Sequence, residues 1–72
     1  MNRVKSYRKA AKLSQLELAK KISVARQTIN LIENDKYNPS LDLCLNLAKA
    51  LGTDLNQLFW EVREGEEDES KS

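Results

Sequence analysis

The sequence predicts an all-α fold: a compact bundle of five short helices over residues 1–60, followed by an acidic, disordered tail over 61–72. Three observations predict it. Apolar residues recur at three- and four-residue intervals in five separate stretches, and no stretch alternates as a strand would. Capping and turn residues punctuate those stretches, among them Ser14, Ser40, Gly52 and Asp54. The last twelve residues, EVREGEEDESKS, hold six acids and almost nothing apolar, too little to offset the entropy of ordering.

The first helix is expected over Asn2–Ala11, where Val4, Tyr7 and Ala11 form a stripe at i, i+3 and i+7. Ser14 followed three residues later by Glu17 is a capping box, so it opens the second helix. Leu18, Ala19 and Ile22 are that helix's inward face, with Leu16 at its edge. Ser23-Val24 turns the chain into a third helix over Arg26–Glu33, with Ile29 and Ile32 inward. The run Asn34–Pro39 is a polar loop of turn formers. Ser40 caps a fourth helix whose apolar face is Leu41, Cys44, Leu45, Leu47, Ala48 and Leu51, and Gly52 ends it. Asp54 caps a short fifth helix carrying Leu55, Leu58, Phe59 and Trp60.

A chain of 72 residues has room for one domain and a small core. It has no histidine and one cysteine, Cys44. An internal disulfide, a finger-type zinc site and a histidine-based catalytic pair are thereby excluded, and Cys44 reads as a half-buried core thiol. No acid/base pair, metal cluster or phosphate loop supports an enzyme. No cofactor, metal or small-molecule ligand is expected. No apolar run approaches a membrane span, and the basic start lacks the apolar region of a secretory signal. A cytoplasmic protein is the expectation.

The net charge of +1 conceals two unlike halves. Residues 1–40 hold nine Lys/Arg against three acids, and residues 41–72 hold three against eight. The halves therefore carry +6 and −5. A basic half is the footprint of a nucleic-acid binder, and equally of a solvated lysine face.

The segment Ser14–Glu33, SQLELAKKISVARQTINLIE, decides between these. It is two amphipathic helices joined by a tight turn, and Arg26, Gln27, Thr28 and Asn30 crowd the outer face of the second. Arg, Gln and Asn can make paired hydrogen bonds to base edges in the DNA major groove. Ala19 supplies the small residue where the two helices cross, and Ile29 and Ile32 lock the second to the core. Ser14-Gln15, at the start of the first, is suited to a phosphate.

The pieces RVKSYRKAAKLSQLELA, RQTINLIE and NPSLDLCLNLAKALG, in this order and spacing, resemble the phage-repressor and Cro-like (Xre-type) helix-turn-helix family over about residues 3–60. The resemblance implies a lambda-repressor-like DNA-binding domain. By it, Arg26, Gln27 and Asn30 face base edges, and Thr28 meets a phosphate or a thymine methyl. Gln15 clamps a phosphate, with Ser14 as a second contact. Lys36, Tyr37 and Asn38, with Asn34 beside them, grip the DNA backbone. Arg8 and Glu33 match a partly buried ion pair between the first helix and the end of the third.

The sequence departs from the family pattern at Ser23 and Lys12, where glycine is usual, and left-handed backbone there would be strained by roughly 1 kcal/mol. Leu31 stands on the outer side of the third helix, where a polar residue is usual. It either touches a thymine methyl or leans on the loop near Tyr37.

The function so implied is a sequence-specific DNA-binding transcriptional regulator, a repressor, acting as a homodimer on an inverted-repeat operator. Not all the apolar residues of the fourth and fifth helices can point inward, so Leu43, Leu55, Phe59 and Trp60 are the expected dimer contact. The alternative is an antitoxin or restriction-control protein that uses the same fold to bind a protein partner as well as DNA.

Overall fold

The computed structural model describes residues 2–60, the side chain of Trp60 excepted; the expected tail at 61–72 lies outside the described residues. Four α-helices follow one another: α1 (Val4–Ala10), α2 (Gln15–Lys21), α3 (Arg26–Glu33) and α4 (Leu41–Leu51). A fifth segment, α5 (Asn56–Trp60), is one wide π turn. The described residues are thus all-α.

Every helix start except that of α3, where Ala25 makes no side-chain cap, has an identifiable cause. Ser14 Oγ accepts from the Glu17 amide at 3.0 Å while Glu17 Oε1 accepts from the Ser14 amide at 2.7 Å, a complete capping box. Ser40 Oγ takes the Leu43 amide, and Asp54 Oδ1 takes the Gln57 amide at 2.9 Å. The first helix is shorter than its apolar stripe suggests, because Asn2 stands outside it. The Asn2 side-chain oxygen accepts from the Val4 amide at 3.0 Å, and its Nδ2 donates to the Ile32 carbonyl at 2.8 Å and to Asp35 Oδ1 at 3.0 Å. One side chain thereby ties the start of α1 to the end of α3.

The four α-helices end alike. Each closes through a left-handed residue, one past the cap at Lys12 (φ 61°), Ser23 (φ 60°) and Asp35 (φ 58°) and at the cap itself in Gly52 (φ 69°). The following amide reaches back five residues in every case: Leu13 to the Arg8 carbonyl, Val24 to Ala19, Lys36 to Leu31 and Thr53 to Ala48, at 2.9–3.1 Å. This is the Schellman closure, which satisfies carbonyls the helix leaves open. Glycine holds only one of the four positions. The strain expected at Lys12 and Ser23 is present, and Asp35 adds a third site.

The core is Val4, Leu18, Ala19, Ile29, Ile32, Leu47, Ala48, Leu51 and Leu58, all buried. Ala19 is fully buried, and α2 and α3 make the most extensive helix–helix contact of the described chain. The N-terminal segment closes on α5: the Arg3 amide donates to the Leu58 carbonyl at 2.9 Å, and the Tyr7 hydroxyl donates to Gln57 Oε1. The six-residue apolar face expected on α4 is too broad. Leu47, Ala48 and Leu51 are buried and Cys44 is half-buried, but Leu41 and Leu45 are exposed. One helix can turn only one stripe to so small a core. The Cys44 thiol donates to the Pro39 carbonyl at 3.9 Å, and burial pushes its pKa up, which suits an inert thiol.

Candidate nucleic-acid interface

Helix α3 is sharply two-faced. Ile29 and Ile32 are buried, whereas Arg26 and Gln27 are exposed, and Thr28, Asn30 and Leu31 are half-buried. The polar side chains are therefore carried on a helix locked to the core by its opposite face.

A chain of hydrogen bonds runs from beneath this helix to its outer face. Arg8 Nε and Glu33 Oε2 are 2.7 Å apart, with side chains 10% and 2% exposed. Arg8 Nη1 also donates to the Leu13 carbonyl at 2.8 Å. Gln15 Nε2 donates to Glu33 Oε1 at 3.1 Å, and Gln15 Oε1 accepts from Arg26 Nη1 at 3.2 Å. The amide of Gln15 can take only one orientation here, since its nitrogen must face the carboxylate and its oxygen the guanidinium. It keeps a second N–H for another acceptor. Ser14 uses its oxygen for the cap and retains its hydroxyl proton for the same purpose.

Beyond α3, Asn34, Lys36, Tyr37 and Asn38 are all exposed. Asn34 Nδ2 donates to the Asn30 carbonyl at 2.8 Å, so part of its donor capacity closes the helix end. The left-handed Asp35 and its hydrogen bond from Asn2 set where Lys36 and Tyr37 leave the helix. Neither Asn2 nor Asp35 is marked by a motif. For Asn2 the available signal is an amide side chain just ahead of a helix, a common capping position. Leu31 accepts the Lys36 amide at its carbonyl and is not among the residues packed on the core.

At the other end, Leu43, Leu55 and Phe59 are half-buried and packed against the core. The expected dimer contact thus has less free apolar surface than its composition suggests. Leu41 and Leu45, left out of that expectation, carry more.

Comparison with known proteins gives this geometry its context. The helix-turn-helix family HTH_3 matches residues 4–58, most of the chain. The chain belongs to that family. It is 47% identical over 58 residues to an HTH-type transcriptional regulator of Methanocaldococcus jannaschii, spanning 81% of this chain and 88% of the relative. It is 41% identical over 59 residues to the immunity repressor of Bacillus phage phi105, spanning 82% of this chain and 41% of that longer protein. The fold is also that of the clp gene regulator ClgR from Corynebacterium glutamicum, with a TM-score of 0.74 at 19% identity, covering 94% of this chain and 79% of that one. The helix-turn-helix unit is α2 and α3, and family membership makes the chain a DNA-binding transcriptional regulator rather than an enzyme. No helix among the described residues is long and apolar enough to cross a membrane.

Proposed function

We propose that the chain is a cytoplasmic, sequence-specific repressor that binds an inverted-repeat operator as a homodimer. Each subunit lays α3 in the major groove. Arg26, Gln27 and Asn30 meet base edges, and Thr28 meets a phosphate or a thymine methyl. Ser14 and Gln15 donate to phosphate on one side of the groove, and Lys36, Tyr37 and Asn38, with Asn34 beside them, on the other. The C-terminal half joins the subunits; the sequence points there to Leu43, Leu55, Phe59 and Trp60, of which the first three are packed against their own core.

The observation that carries this reading is the placement of Arg26. Its guanidinium is exposed at the start of α3 and already held by Gln15, whose other end is fixed to the buried Glu33. A donor fork so restrained loses less freedom on meeting a base than a free surface arginine does. Repression is supported by the likeness to a phage immunity repressor.

Selection of binding sites from random duplex DNA tests the proposal. The expected result is two inverted half-sites with centres about one helical turn apart. Failure to enrich any motif overturns sequence-specific reading, and enrichment of a single half-site overturns the homodimer.

A further inference from the structure

The outward stripe of α4 consists of Leu41, Asp42, Leu45, Asn46 and Lys49, all exposed. Leu41 is 63% exposed and Leu45 44%, large values for leucines in a domain with so small a core. Beside the C-terminal end of this stripe lies an open groove of about 530 Å³, lined by Leu45, Ala48, Lys49, Thr53 and Leu55 with Asp54 and Asn56 at its end. Most of its surface is apolar. The Thr53 hydroxyl, in the same groove, is buried without a hydrogen-bond partner.

The order of residues along the stripe has a symmetry that selects the occupant. Leu45 is central, with an acid at its N-terminal side and a base at its C-terminal side. If two copies of α4 cross antiparallel with Leu45 on the two-fold axis, position 41 of one helix stands opposite 49 of the other. Such an isologous contact uses one patch twice, so the patch must complement itself in charge and shape. This one does. Asp42 of each copy faces Lys49 of the partner, and Leu41, the most exposed leucine, faces the groove flanked by Lys49, Ala48 and Leu55.

We propose that a second copy of this chain docks on α4, with the partner's Leu41 seated in the groove and the partner's Asp42 beside Lys49. The proposal rests on the homodimer reading above and names its surface, in place of one centred on Leu43 and Phe59. Both of those residues are packed against the core of their own subunit.

Charge exchange tests it. Asp42→Lys and Lys49→Glu are prepared separately in the full chain, and self-association is measured by sedimentation equilibrium at low salt. Each change sets like charges face to face at both symmetric contacts, so each homodimer weakens by at least about tenfold. Mixing the two variants restores opposite charges at both contacts, and association returns to near the wild-type level. A fold defect would not be rescued by mixing. Leu41→Glu, at an exposed position, also abolishes the dimer while leaving the helical circular dichroism of the folded chain unchanged, and the concentration dependence of its thermal unfolding disappears with the dimer. A wild-type dimer unmoved by all three changes, or variants that stay apart when mixed, overturns this surface and leaves the dimeric regulator standing. A wild-type chain monomeric both free and on its selected DNA overturns the dimer itself.

Discussion

Replacing Arg8 by alanine leaves Glu33 with a side chain only 2% exposed and a single remaining hydrogen bond, from Gln15 at 3.1 Å. The donor to the Leu13 carbonyl is lost as well. A buried carboxylate so stranded costs about 3–5 kcal/mol. Glu33→Ala is the milder change. It leaves a guanidinium 10% exposed that still donates to Leu13, and its cost is about 2 kcal/mol. A domain of this size has a total stability of roughly 3–9 kcal/mol, so Arg8→Ala takes up much of it. The double change Arg8→Met/Glu33→Leu removes both charges and keeps apolar volume, and it returns to within about 1 kcal/mol of wild type. Urea titrations followed by circular dichroism give the free energies, provided the slope stays constant across the set. Equal costs for the two single changes would refute the burial argument. A double variant as unstable as the two singles added together would refute the stranded-charge argument.

Three further outcomes follow from local geometry. Ser23→Gly and Lys12→Gly, at left-handed positions, each raise stability by about 0.5–1 kcal/mol in thermal unfolding, whereas Gly52→Ala lowers it by about 1 kcal/mol. The last loss is conformational, since a Cβ at Gly52 meets nothing within 4 Å. Ser14→Ala breaks the capping box and costs about 1 kcal/mol, with loss of helix signal in the same melt. On DNA, Arg26→Ala weakens the selected operator by about 1–3 kcal/mol and random duplex little, measured by fluorescence anisotropy. Lys36→Ala weakens both alike and flattens the salt dependence by about one unit of slope.

What the sequence disclosed was mainly local. The capping box at Ser14 and Glu17 and the glycine stop at Gly52 are legible because each involves residues within a turn of one another. Ile29 and Ile32 were legible because α3 has few apolar residues, so its inward face has one solution. Helix α4 shows the converse. Six apolar residues span too wide an arc for periodicity to say which of them the core excludes, and Leu41 and Leu45 turned out to be those. The left-handed Asp35 escaped because the usual marker is glycine, and a short polar side chain also tolerates that backbone. The roles of Asn2 and Gln15 depend on partners 11 to 33 residues away, which only the packed chain brings within reach.

The single amide of Gln15 joins two tasks that a protein might have kept apart. Its nitrogen belongs to the buried ion pair, and its oxygen belongs to Arg26. Under the proposed reading, position 26 is therefore not a free dial for operator preference. An acid there would face the amide oxygen and lose its neighbour, while a glutamine could keep the contact through its own N–H. A change at position 15 made to suit a new reading residue would in turn disturb Glu33. Descendants of this chain that acquire new operators are expected to alter positions 15 and 26 together, or to leave both alone and vary Gln27 and Asn30 instead.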